Sequence, residues 1–84
     1  MTVQVRLFAA LRELAGASRV EANGRTVGDL VDALSAAQGE RFGQIAAVSS
    51  FVVNGDRASR DTVIADGDEV AILPPVSGGR RPAR

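Results

Sequence analysis

The chain has no cysteine, histidine, lysine, tyrosine or tryptophan. Without cysteine there are no disulfides, and without cysteine or histidine the nitrogen and sulfur ligands favoured by zinc, copper and iron are missing, so no metal site is expected. The same residues supply most general bases, nucleophiles and Schiff-base amines. Autonomous catalysis is therefore disfavoured, no bound cofactor is expected, and the composition points to a carrier or binding module. No apolar stretch approaches the roughly 18 residues of a membrane span, and no apolar segment follows a basic start at the N-terminus. These absences predict a cytoplasmic protein with no membrane partner.

What remains is a small chain of 84 residues, enough for one core. A domain of this size buries a modest fraction of its surface and depends on close packing or on a partner. All ten basic residues are arginines, and Arg80, Arg81 and Arg84 fall within the last five positions. Residues 1–79 hold seven arginines against ten acidic residues, a net charge of −3, which disfavours nucleic-acid binding by the body.

Residues Thr2 to Phe8 alternate, Val3, Val5 and Leu7 against Gln4, Arg6 and Phe8, with the period of a half-buried strand. Ala9 to Ala15 is rich in helix formers and is followed by Gly16, suited to a left-handed cap. Ser18 to Ala22 reads as a second strand returning antiparallel, closed by an Asn23-Gly24 turn. Thr26 and Asp29 resemble a capping box, and Val27, Leu30, Val31 and Leu34 form one apolar helical face that Gly39 ends. From Glu40 to Ser50 the pattern is irregular, with Phe42, Ile45 and Val48 as expected buried anchors in a loop or short turn of helix. Phe51-Val52-Val53 enters an Asn54-Gly55 hairpin and a short return strand. An Asp66-Gly67 turn leads into Glu69 to Leu73, with Val70 and Ile72 on one face and Ala71 and Leu73 on the other, until Pro74-Pro75 stops the strand. Asp66, Asp68 and Glu69 lack the ligand series of a calcium loop and read as turn chemistry.

The order strand, strand, helix, strand, short strand, strand predicts an α+β domain over residues 1–75. It is the β-grasp (ubiquitin-like) plan, a mixed sheet of four to five strands packed on one main helix plus a short helix. Residues 76–84 then form a C-terminal tail, which its glycine and serine make flexible.

Three blocks carry a family resemblance: R-L-F-A-A-L-R-E-L-A-G at 6–16, T-V-G-D-L at 26–30, and D-G-D-E-V-A-I-L-P-P-V-S-G-G at 66–79. A Gly-Gly pair alone is common, but after a Leu-Pro-Pro-Val strand end and an Asp-Gly-Asp turn it is specific. With these blocks the chain resembles the small subunit of molybdopterin synthase, within the MoaD/ThiS group of ubiquitin-like sulfur carriers. The resemblance implies a carrier whose terminal glycine carboxylate is adenylated with ATP by a MoeB/ThiF-like partner and converted to a thiocarboxylate. Its tail then inserts into a MoaE-like synthase large subunit, where sulfur passes to the pterin. On this sequence the reacting carbonyl is that of Gly79, beside Gly78. Positions matching Phe8 and Leu73 are partner contacts in the family, and Pro74, Pro75, Val76 and Ser77 complete the expected partner-binding segment.

The tail suits that role physically. Extended, Pro74 to Gly79 reach about 20 Å at roughly 3.3 Å per residue. Gly78 and Gly79 allow a narrow channel and close backbone approach, and the two prolines lessen the entropy lost on insertion. Phe8 and Leu73 fall on the face opposite the predicted core, so neighbouring first and last strands would join them with Val76 in one apolar patch at the root of the tail. Family members usually end at the second glycine, whereas here Arg80-Arg81-Pro82-Ala83-Arg84 follows. The Gly79 carboxyl is thus in a peptide bond, and a processing protease is expected to free it. Two other readings stand beside this one: a carrier for another pathway (thiamin-like, cysteine or thionucleoside) or a ubiquitin-like protein modifier, and a non-covalent β-grasp interaction domain.

Overall fold

The computed structural model of the chain describes residues 2–75. Its elements are β1 (Val3–Leu7), α1 (Ala9–Ala15), β2 (Arg19–Ala22), α2 (Val27–Gln38), α3 (Glu40–Ala47), β3 (Ser50–Val53), β4 (Asp56–Ala58) and β5 (Glu69–Leu73). The five strands form one mixed sheet in the order β2-β1-β5-β3-β4. β1 and β5 run parallel at its centre, and the other pairings are antiparallel. This is the expected β-grasp arrangement.

Alternation decides which face of the sheet is covered. Val3, Val5 and Leu7 of β1 and Val70 and Ile72 of β5 are at most 1% exposed and pack with Leu30, Val31 and Leu34 of α2 in one cluster. On the flanking strands Val20, Val53 and Ala58 pack against the same cluster, fixing the phase of β2, β3 and β4. Every strand therefore presents its other, alternate residues to the opposite, helix-free face.

α2 starts as its sequence predicts, with Thr26 Oγ1 accepting from Asp29 N at 3.1 Å. The Asp29 carboxylate does not close a reciprocal box on Thr26; it accepts from Arg25 N at 3.4 Å. Two more of the unpaired N–H groups of this helix end are met from afar, Val27 N donating to Thr62 O (3.0 Å) and Gly28 N to Arg60 O (2.9 Å). The segment between β4 and β5 is thus pinned across the start of α2, with Ile64 buried beneath it. α1 ends as expected at Gly16, whose φ is 75°.

Two sequence expectations, Val48 as a buried anchor and Asn23-Gly24 as a turn, are corrected. Of the loop or short turn of helix expected after Gly39, residues 40–47 take the helical form, as a full eight-residue helix: Phe42 and Ala46, one turn apart, are both fully buried, and Ile45 is partly buried beside them. Val48 is no anchor, being 66% exposed, because it caps the end of α3 where the chain leaves the core. Asn23-Gly24 is not a turn requiring a left-handed residue. It is a non-helical link in which Gly24 lies against the start of α2, so that a Cβ there would stand 2.8 Å from Leu30 N and 3.0 Å from Asp29 Cβ.

Candidate functional site

The parallel pairing of β1 and β5 brings two strand ends to the same edge of the sheet. Leu7 is opposite Ile72, and Phe8 keeps extended backbone (φ −132°, ψ 155°), so the next register step sets Phe8 beside Leu73. On the other side Leu73 pairs with Ser50 of β3. Phe8 and Leu73 are both half-buried, and neither packs against the core cluster. They lie on the helix-free face, as the alternation predicts. Pro74 is half-buried and Pro75 exposed directly beyond them. Val76, Ser77, Gly78 and Gly79 lie outside the described residues, as does the segment 80–84.

Phe8 is held from two directions. Its carbonyl accepts from Leu11 N (3.1 Å) and Arg12 N (3.4 Å), which begins α1, while the Arg6 guanidinium sits 5.6 Å from the centroid of its ring. An exposed cation–π contact of this kind is worth about 0.5–1 kcal/mol. Immediately after Phe8 the chain reverses through Ala9, whose φ of 52° is unusual for a residue with a Cβ and costs on the order of 1–2 kcal/mol. The cost is met where the strand end must stop and α1 must turn away from the face, leaving Phe8 at its edge.

The opposite end of the same sheet is polar and self-contained. Asp68 accepts from Asn54 Nδ2 (3.0 Å) and Ala65 N (2.8 Å), and Asn54 Oδ1 in turn accepts from Glu69 N (3.0 Å). The amide of Asn54, and then the N–H of Ala65, hold the Asp68 carboxyl below its ordinary value. Asp66 accepts from Thr2 N at 3.1 Å. These carboxylates serve the turns, and among the described residues no group of three or more acidic side chains is arranged to hold a metal ion. Among the same residues no helix is long and apolar enough to cross a membrane.

Strand pairing also exposes a feature that sequence reasoning missed. Arg19 is opposite Arg6, Arg6 opposite Ala71, Ala71 opposite Val52, and Val52 opposite Arg57, so one row crosses all five strands on the helix-free face. The alternation marked Arg6 as outward-facing, but the alignment of three arginines depends on register between strands far apart in sequence.

The chain matches the model of the ThiS family over residues 5–79. It is 40% identical over 88 residues to small archaeal modifier protein 1 of Haloferax volcanii, an alignment covering 88% of this chain and 97% of that protein. The crystal structure of that archaeal protein superposes with a TM-score of 0.77 and 34% identity, covering 94% of this chain and all of the other. The molybdopterin synthase sulfur carrier subunit of Escherichia coli is 40% identical over 81 residues, covering 92% of this chain and 99% of that one. A complex of subunits 1 and 2 of the molybdopterin-converting factor from Helicobacter pylori contains a chain similar to this one, with a TM-score of 0.59 and 26% identity over 94% of this chain and 100% of the other.

Proposed function

Since the chain belongs to the ThiS family of ubiquitin-like sulfur carriers, we propose that it carries sulfur for molybdopterin assembly on the carboxyl of Gly79. The observation that carries this reading is where the family match stops: it ends at residue 79, the second glycine, and leaves Arg80 to Arg84 outside. The body needs no catalytic group of its own for this task. A freed Gly79 carboxylate attacks the α-phosphate of ATP on an adenylating enzyme, giving an acyl-adenylate and pyrophosphate. A sulfide-level nucleophile then displaces AMP and leaves the thiocarboxylate. Phe8, Leu73, Pro74 and Pro75 form the docking root, and Val76, Ser77 and Gly78 span from it to the reacting carbon. Delivery follows inside a synthase large subunit of the kind that pairs with the similar chain in the Helicobacter complex.

The 40% identity to an archaeal modifier protein favours a second reading, in which the same activated glycine is joined to amines of target proteins. Both readings require residues 80–84 to be removed by a protease. The test mixes a chain ending at Gly79 with the adenylating enzyme of its host, ATP and sulfide. Release of pyrophosphate and a mass gain matching replacement of oxygen by sulfur are expected, with no reaction from the 84-residue chain. A Gly79-ended chain that binds the enzyme but is never adenylated refutes the proposal, and adducts on target lysines without sulfur transfer to a pterin support the second reading. Intact-mass measurement of the protein from its host checks the processing step: a sulfur-bearing pool retaining all 84 residues rules it out.

A further inference from the structure

We infer that the helix-free face of the sheet docks an acidic surface of the adenylating enzyme that activates the tail, through the row of Arg19, Arg6 and Arg57. The inference rests on the carrier reading and adds the chemistry of the partner. Arg19 and Arg6 are directly opposed on neighbouring strands, an arrangement that is unfavourable in the isolated molecule. No carboxylate pairs with it among the described residues, where the one ion pair joins Arg60 to Asp32 and none of the three row arginines takes part in it. With strands spaced about 4.8 Å apart, the row spans roughly 19 Å, the scale of a protein contact rather than of a small ligand.

What lies on either side of the row defines the partner. Toward the tail root are Phe8 and Leu73, and within the row the half-buried Ala71 and Val52 separate Arg6 from Arg57. Two residues away in the other direction the row gives way to Glu21, Gln4 and Glu69, in register with one another. The complementary surface is an apolar ridge flanked by carboxylates on the tail-root side, with no acidic group toward Glu21 and Glu69. Arginine suits this because its fork binds a carboxylate with two parallel hydrogen bonds, and the Arg6 guanidinium, held 5.6 Å from the Phe8 ring centroid, is in no ion pair among the described residues. A nucleic acid fits less well, since the adjoining acidic row would repel phosphates and the centre of the face is apolar.

The test measures docking apart from chemistry. The full 84-residue chain is titrated with the adenylating enzyme of its host in the absence of ATP, at low and high salt. Reversing the row (Arg6→Glu, Arg19→Glu and Arg57→Glu together) is expected to weaken binding by about tenfold or more and to flatten its salt dependence. The single variant Arg41→Glu, an exposed residue on α3, is expected to change it less than about twofold. Circular dichroism confirms folding of each variant, and Arg6→Gln with Arg57→Gln gives a milder version should the triple reversal unfold. Binding that ignores the row, that falls equally in Arg41→Glu, or that is absent in the parent chain overturns the inference. So does row-dependent binding of a single-stranded oligonucleotide at physiological salt. Row-dependent docking without adenylation of the Gly79-ended chain would sink the sulfur-carrier proposal and leave this one standing, while adenylation with row-independent docking does the reverse.

Discussion

Replacing Gly24 with alanine separates two reasons a glycine can be required. If Asn23-Gly24 were a left-handed turn, the cost of alanine would be conformational and asparagine would relieve it. In the structure Gly24 has no positive φ, and the obstacle is steric: the new Cβ would lie 2.8 Å from Leu30 N, 3.0 Å from Asp29 Cβ and 3.2 Å from Asp29 C. Two of those atoms are backbone in the first turn of α2, whose N–H groups donate to Thr26, Thr62 and Arg60, so it cannot yield cheaply. Alanine would gain about 0.4–1 kcal/mol by restricting the unfolded chain. Overpacking costs about 1–3 kcal/mol and wins, for a net loss of about 1–2 kcal/mol. At about 4–8 °C per kcal/mol for a domain of this size, the melting temperature drops by roughly 5–15 °C. Gly24→Asn should lose at least as much. Gly67 is the control, since its φ is 89° and nothing lies within 4 Å of a Cβ, so Gly67→Asn should be milder than Gly67→Ala. Urea melts of the four variants suffice, and a Gly24→Ala protein as stable as its parent would refute the close approach.

Three further predictions follow from the same contacts. Phe42→Ala removes a fully buried ring between α3 and the core and should cost about 3–5 kcal/mol, a large share of what a domain of this size has, leaving a strongly reduced urea midpoint; a loss below about 1 kcal/mol would mean α3 is not docked as described. The carboxyl of Asp68 is held low in the folded state, so its contribution is full above its ordinary value of 3.8 and drains away as pH falls below that toward the folded value; Asp68→Asn should therefore flatten the acid limb of stability against pH, and parallel limbs would refute the assignment. Arg19→Glu turns a like-charge cross-strand pair with Arg6 into an opposite one and should raise stability by about 0.2–1 kcal/mol in thermal melts at low salt, a gain that salt should erode.

The parts of the fold legible in the sequence are those where one residue's partner is near in sequence or where alternation is clean. β1 and β5 alternate strictly, and the buried phase of each was readable before any pairing was known. α2 is marked by Thr26, Asp29 and the spacing of its apolar residues. α3 was obscured because one of its two fully buried positions is alanine, too small to stand out, while the bulkier Val48 beside it lies outside the core. Gly24 and the 60–62 carbonyls act on α2 from a distance, so neither leaves a local signature. The tail root fell between these cases: Phe8 and Leu73 could be phased from sequence, but their adjacency required the parallel β1–β5 pairing that only the fold supplies. The arginine row needed four registers at once.

That pairing explains why an inert body can serve as a carrier. Among the described residues the helices and the covered face of the sheet hold all of the fully buried side chains, so the helix-free face contributes little to the core. A surface released from the core can keep arrangements that are unfavourable in isolation, such as opposed arginines and a half-buried phenylalanine beside a strained alanine, provided a second protein relieves them. Stability and docking should then respond with opposite signs to one substitution: Arg19→Glu relieves the free chain and removes a contact from the complex. A surface shaped only by folding would show no such inversion, because whatever stabilised the chain would leave association unchanged. β5 ends at Leu73 beside Phe8 at the end of β1, so Pro74 and Pro75 leave the sheet at the root of the proposed docking face.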